Sequence, residues 1–538
     1  MKSKFSWFLS LLIFIAYGCK DDDIVDEDPK PDEPDDEYVI PIYNDDYTWT
    51  GDDIASWSDR SKWNLANVHD PSVVFDGGYY YMYATDASFG NEHAGHGHFH
   101  HRRSKDLVNW EYRNATMNDA PTWVKDTLNN IRATNGLAPI DNPGYGFWAP
   151  VVRQVGNKYR MYYSIIIDNY IGNGLPCNEA NFDGTWSEHA FIGMMETSDL
   201  ALNEWEDKGM VIHSVSDKGT EWSRSSFGGD WGNAYFYYNA IDPTFQETPD
   251  GKQYLIYGSW HSGIACVELD PATGKPFEYV NVADKTKRIA TRVASGYWSR
   301  WQGSEGPEIL YNEETGYYYL FLAYDGLDVP YNTRVCRATS IEGPYYGSDG
   351  ANVTEGADCY PVLTHPYKFN SHSGWVGFAH NAVFQNENGD WFYASQARLP
   401  GGTNGNEYAN ANMMGHVRKI AWTEDGWPVV MPERYTGVPE KEITEDELIG
   451  TWECIELKYD YANMQTSNAI VLKEDGTAVG ALSGSWSYDS ANEILTIGTV
   501  KLCVERELDW EASPREVTIV ISGLTQDRKH SLWGKKID

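Results

Sequence analysis

One short pattern recurs five times along the chain, and it limits the fold more than any other feature. It runs from a small or polar residue, often followed by proline, through two or three apolar residues and a Gly- or Asn-containing turn, to alternating aromatics. The copies start at Asp70-Pro71 (DPSVVFDGGYYYMYAT), Ala149-Pro150 (APVVRQVGNKYRMYYS), Asp242-Pro243 (DPTFQETPDGKQYLIYGS), Gly306-Pro307 (GPEILYNEETGYYYLFLAY) and His380-Asn381 (HNAVFQNENGDWFYASQ). Each is two period-2 strands around a tight turn, hence a β-hairpin. The intervals of 79, 93, 64 and 74 residues leave room for four-stranded units with loops of variable length. No sustained helical period runs between the copies. The prediction is an all-β chain whose main body is a five-bladed β-propeller rather than a sandwich.

In a propeller the start of each inner strand faces the central channel. Asp70, Ala149, Asp242, Glu305 (one residue before Gly306) and His380 are therefore expected to converge on one axis. Three carboxylates and an imidazole at equivalent positions are poor core filling, because buried unpaired acids are costly; such clusters mark functional sites. After about residue 439 the pattern stops. Residues 440–538 carry short alternating segments separated by Gly, Asn and Ser, which predict a small separate β-domain, barrel-like or sandwich-like. Cys454 and Cys503 both fall there, as a pair or as two reduced thiols.

The chain carries 42 Lys and Arg against 79 Asp and Glu, a formal charge of −37 over 538 residues. That field repels phosphate backbones and excludes nucleic acid as a partner. Seven cysteines are too few and too scattered for a disulfide scaffold. Residues 1–19 read as an export signal: Lys2 and Lys4, an apolar run, then Ala16-Tyr17-Gly18-Cys19. A Cys after a small residue at this place is similar to a bacterial lipobox, with Cys19 as the lipidated new N-terminus. Residues 20–40 form an acidic, Pro-containing tether, in which Lys20-Asp21-Asp22-Asp23 resembles the export signal of Gram-negative surface lipoproteins. A monomer on the outer-membrane surface is expected, with the membrane touched only through the lipid; a periplasmic or secreted form is the alternative. Residues 41–439 are assigned to the propeller.

Three carboxylates in one channel suit the hydrolysis of a glycosidic bond, where one protonated and one ionised carboxyl act on opposite sides of the bond. Trp148, Trp260 and Trp301 lie near the same strand starts, and flat indole faces stack on sugar rings. The histidine-rich stretch His93–His101 (HAGHGHFHH) suggests zinc, but its glycines and strand alternation favour a polar loop near the rim.

At the motifs VHDPSVV (68–74), GFWAPVV (146–152), NAIDPTF (239–245), GSEGPEI (303–309) and GFAHNAV (377–383), the sequence resembles glycoside hydrolase family 43, and within it the endo-α-1,5-L-arabinanases. The resemblance spans roughly residues 60–435. It implies Asp70 as general base, Glu305 as general acid and Asp242 as the residue that tunes and orients Glu305, in an inverting reaction. It further implies Trp148, Asn239, Ser259 and Trp260 as substrate contacts. His380 would be the ligand of a channel Ca2+ held largely through waters. The implied substrates are arabinan and arabino-oligosaccharides. Val151 departs from the acid the family often carries after WAP. An exo-acting α-L-arabinofuranosidase or β-xylosidase of the same family, and a non-catalytic glycan-binding lipoprotein, stand as the alternatives.

Overall fold

The computed structural model describes residues 38–41, 57–86, 95–216, 235–277, 286–291, 304–327, 330–369, 372–400 and 413–538. Cys19, His93 and Trp301 lie outside these residues, as does most of the acidic tether.

Five antiparallel sheets follow one another, each made from a contiguous stretch of chain; four have their strands in sequence order, and in the third sheet Ile264–Asp270 pairs with both Lys275–Pro276 and Lys287–Ala290. Their inner strands are His69–Asp76, Tyr145–Val155, Thr244–Glu247, Ser304–Asn312 and Asn381–Gln385. These are the five repeats, and the sheets are the blades of a five-bladed propeller. In blade 1, Asp76 and Tyr79 are joined by Gly77 and Gly78, both at positive φ (57° and 79°). Such a two-residue hairpin demands that conformation, which glycine adopts without steric cost.

The second strand of each blade shows why the aromatics alternate yet no polar face results. In Tyr317–Tyr324, Tyr319 and Phe321 pack with blade 5 residues Tyr393 and Val429. Tyr318, Leu320 and Leu322 point the other way and pack with Tyr254 and Ile256 of blade 3. A strand sandwiched between neighbouring blades buries both faces, so both sets of alternate residues are apolar.

Two devices close the ring. Leu65 and Val68, just before blade 1, hydrogen-bond to blade 5: the Val68 amide donates to Met413 O (3.3 Å) and the Gly415 amide to Leu65 O (2.7 Å). Deeper in the channel, the carboxylate of Glu308 on blade 4, 3% exposed, collects donors from three other blades. They are Arg153 Nη2 of blade 2 (2.5 Å), Thr244 Oγ1 of blade 3 (2.8 Å) and the Val383 amide of blade 5 (3.3 Å). Arg153 Nη1 reaches Ser72 Oγ of blade 1 at 3.4 Å. All five inner strands thus meet at one ion pair.

One expectation fails. Thr122–Thr134 is an α-helix between blades 1 and 2. Its buried side consists of Val124, Leu128 and Arg132, an apolar stripe of two residues continued by an arginine, which gives little helical period to read. Arg132 uses its guanidinium to hold the carbonyls of Ala138 (2.5 Å) and Ile171 (3.1 Å), fixing the start of the long insertion that follows blade 2's second strand.

Eight strands from Gly450–Glu456 to Ser531–Lys536 form a closed barrel, its first and last strands paired. Of the two shapes the sequence allowed, the barrel is the one found. Its interior is filled by Trp452, Ile470, Leu472, Leu495, Leu502 and Ile521, so it is a packed core rather than a ligand cavity. Cys454 and Cys503 are both free thiols. The barrel docks on blades 4 and 5: Ser522 Oγ and Trp533 Nε1 both donate to Val430 O (2.8 and 2.7 Å). Lys535 Nζ is buried among Asp509, Glu511 and Glu433, at 2.6, 2.9 and 3.3 Å. Among the described residues no helix is long and apolar enough to cross a membrane.

Candidate active site

The repeat places a special backbone feature at the start of nearly every inner strand. Asp70, Ala149, Asp242 and Gly306 have positive φ (49°, 44°, 53° and 53°). In blades 1, 2 and 4 the strand pairing also slips here, between His69 and Ser72, Trp148 and Val151, and Glu305 and Glu308. Bulges of this kind re-aim a side chain, and strained residues of this kind gather at functional sites. Gly306 has a second reason to be glycine: a Cβ there would sit 2.7 Å from the His380 ring.

Asp70, Asp242, Glu305 and His380 do meet in the channel. Asp70 Oδ1 lies 3.2 Å from His380 Nδ1, and Oδ2 lies 2.9 Å from His69 Nδ1. Thr85 Oγ1 donates to Asp70 Oδ2 (2.8 Å) and accepts the Ala149 amide (2.7 Å), linking blades 1 and 2. Asp242 Oδ2 accepts the Gly306 amide at 3.1 Å. Glu305 accepts from Tyr331 Oη at Oε1 (2.7 Å), and from Trp260 Nε1 (2.6 Å) and Ser259 Oγ (3.2 Å) at Oε2.

The surroundings push these acids in opposite directions. Burial raises the proton affinity of Asp70, but the imidazoles of His69 and His380 outweigh it and hold the carboxyl well below its usual range. Asp242 is pushed up to about 7 by burial, with the Glu305 and Asp70 charges adding to the rise and His380 opposing it. Glu305 is also raised, by burial and by Asp70, against the hydrogen bonds of Tyr331 and Trp260. Asp242 and Glu305 therefore titrate as a pair that retains a proton where Asp70 has none. His380 rises to about 9: burial lowers it, and Asp70, Asp242 and Glu305 together overcome that.

The expected substrate contacts divide. Trp148 is half-buried on blade 2, packed against the core shared by blades 2 and 3. Asn239 is buried and accepts from Ser214 Oγ at 3.0 Å, so it braces the strand start. Ser259 and Trp260 touch Glu305. The histidines of 96–101 are spent on packing: His96 stacks on Trp57 (4.1 Å), His98 on Phe147 (3.4 Å) and His101 on Tyr83 (5.1 Å), while His100 Nδ1 pairs with Tyr112 Oη (2.9 Å). Residues the repeat did not mark complete the shell, namely His69, Thr85 and Tyr331.

A calcium ion takes roughly six to eight oxygen ligands. Among the described residues around His380 there is no such cage, and Nδ1 already faces Asp70. Only a largely hydrated ion fits these donors. The trio of possible metal ligands found among the described residues, Glu433, Asp509 and Glu511, lies instead around Lys535 Nζ.

A channel in which one carboxyl is held ionised while a neighbouring pair retains a proton has the acid and base that glycoside hydrolysis needs. Residues 65–428 match the model of glycosyl hydrolases family 43, and residues 432–534 match a C-terminal lipocalin-like domain. The chain belongs to glycosyl hydrolases family 43. It is 26% identical over 497 residues to extracellular endo-α-(1→5)-L-arabinanase 2 of Bacillus subtilis, covering 87% of this chain and 93% of that one. It is also 26% identical over 523 residues to the extracellular endo-α-(1→5)-L-arabinanase of Thermotoga petrophila, covering 91% and 97%. Among solved structures, a family 43 glycoside hydrolase from Bacillus licheniformis superposes with a TM-score of 0.65 at 25% identity, over 88% of this chain and 99% of that one.

Proposed function

We propose that the protein cleaves internal α-1,5-L-arabinofuranosyl linkages of arabinan with inversion, outside the cell. The observation that carries this reading is the meeting of Asp70, Asp242 and Glu305 with His380 in one channel, where the surroundings favour the ionised form of Asp70 and a proton on the Asp242–Glu305 pair. Two relatives named as extracellular endo-arabinanases, aligned over nearly their whole length, supply the substrate.

In this mechanism ionised Asp70 takes a proton from a water as its oxygen attacks the anomeric carbon. Glu305 delivers its proton to the departing glycosidic oxygen, and the sugar is released with inverted configuration. Asp242 favours the protonated form of Glu305 through its charge, and accepts the amide of the next residue, Gly306. Trp260, Ser259 and Tyr331 fix the acid's orientation. A hydrated calcium ion beside His380 would add positive charge near the carboxylates. In the proposed mature form Cys19 bears the lipid that displays the enzyme on the outer membrane, and the barrel serves as scaffold.

A product time course on linear α-1,5-arabinan tests the assignment. Mixed oligosaccharides at early times are the expected result. Arabinose alone would make the enzyme exo-acting, and binding without product would make it a glycan-binding protein.

A further inference from the structure

The side of the channel next to Glu305 carries a polar pair that the reaction does not use. Glu188 opens the third strand of blade 2, where the long insertion 168–188 returns to the sheet, and it pairs in register with Asp168. Its Oε2 lies 3.9 Å from His261 Nε2, and the Glu188 side chain keeps 35% of its exposure. His261 follows Trp260, which bonds Glu305, in a turn where both residues have positive φ (51° and 21°).

This turn is held firmly. The Trp260 amide donates to Ser304 O (2.8 Å), and Ser262 Oγ donates to Phe236 O (3.0 Å). The His261 ring stacks on Phe236 at 3.6 Å and 14°, and Phe236 meets Trp186 of the insertion edge-on at 5.7 Å. The imidazole is thus clamped on an aromatic face with its Nε2 toward Glu188. The gap is too wide for a direct hydrogen bond and suits a shared third group, such as a hydroxyl that donates to one and accepts from the other.

We propose that Glu188 and His261 bind ring hydroxyls of the sugar on the leaving-group side of the scissile bond. This deepens the hydrolase reading above and rests on it. The position follows from chemistry: the group that protonates the leaving oxygen is Glu305, and the residue next to its Trp260 donor is His261. Burial pushes the Glu188 carboxyl up to about 7 and the Glu305 charge adds to the rise, which places the two acids within each other's field. A carboxylate that binds a hydroxyl rejects a substrate lacking it more strongly than an apolar wall would.

The experiment uses the full chain and the variants Glu188→Gln and His261→Gln, each checked by thermal melting. End-labelled α-1,5-arabino-oligosaccharides of defined length report KM, kcat and which bond is cut. The expected result is a KM raised about tenfold, the scale of one lost hydrogen bond to a charged group, with kcat near wild type and a shifted cleavage position. Unchanged KM and cleavage pattern in both folded variants would overturn the assignment, as would a fall in kcat at constant KM. The same assay run first on wild type separates the two readings. If wild type cuts only another pentose polymer, the arabinan reading fails, and the variants are compared on that polymer instead.

Discussion

Trp260 Nε1 donates to Glu305 Oε2 across 2.6 Å, so an aromatic ring from blade 3 holds the acid that blade 4 supplies. This bond favours the ionised form of Glu305. Trp260→Phe removes the donor and lets the Glu305 pKa climb. The alkaline limb of the kcat/KM profile should move to higher pH, and kcat/KM should fall about tenfold or more for the lost charge-assisted bond. Steady-state kinetics from pH 5 to pH 9 reads both effects. A profile that stays in place would separate the indole from the acid.

Asp242→Asn acts in the opposite sense. The Asp242 charge helps to hold a proton on the pair, so its removal should let Glu305 ionise earlier and bring the alkaline limb down in pH. Loss of acid catalysis on this scale corresponds to about 10²–10⁴-fold in kcat. On the acid side, wild type should keep its activity well below pH 5, because Asp70 stays ionised there.

Asp70→Asn should abolish turnover while oligosaccharide binding, followed by calorimetry, stays within a few-fold of wild type. The amide keeps the shape and the Thr85 contact but cannot take a proton from water. Substantial residual turnover would remove Asp70 from the role of base.

Arg153→Met tests the junction of the five inner strands. It leaves the Glu308 carboxylate buried without its ion-pair partner, a loss on the order of 3–5 kcal/mol in buried pairs. A marked drop in melting temperature is expected, and adding Glu308→Gln should recover part of it. If the single variant melts like wild type, the ion pair is not what fastens the blades.

Lys535→Met is the equivalent test for the barrel. Three carboxylates share that one ammonium, and Glu511 is held down to about 2: burial raises it, but Lys535 and His372 outweigh burial. A carboxyl with a depressed folded pKa stabilises the fold above its unfolded value of about 4.3 and loses that contribution as pH falls toward 2. The variant should melt earlier at neutral pH, and its Glu511 contribution should no longer change across that acid window. Calorimetry at pH 7 and pH 3 checks both.

The convergence of Asp70, Asp242, Glu305 and His380 is legible because a propeller converts sequence period into spatial coincidence. Residues at the same phase of each repeat share the axis, whatever lies between them. Partners without that phase are invisible to it. Tyr331 reaches Glu305 from a loop 26 residues on, and Thr85 reaches Asp70 from the end of the next strand. Glu308 is itself in phase, yet it reads as one more strand residue until Arg153, 155 positions away, is seen opposite it. The helix at Thr122–Thr134 hides because its buried stripe includes Arg132. Barrel and sandwich could not be told apart from residues 440–538, since strand alternation is the same in both. What decides is the pairing of Gly450–Glu456 with Ser531–Lys536, a contact between the ends of the domain.

Among the described residues every blade is spun from its own contiguous stretch, and the ring is locked by the short segment before blade 1, where Ala66 bridges to Met414 of blade 5. Each blade can be completed as soon as its segment is available, in order from the first to the fifth. The proposed catalytic set cannot. Asp70 gains its His380 partner, and Glu308 its Val383 donor, only when the last blade swings against the first. A chain stalled at four blades holds all three carboxylates and still lacks the charge balance that sets Asp70 apart from Asp242 and Glu305. Activity is thereby a certificate of complete assembly, issued when Met413 and Gly415 meet Val68 and Leu65.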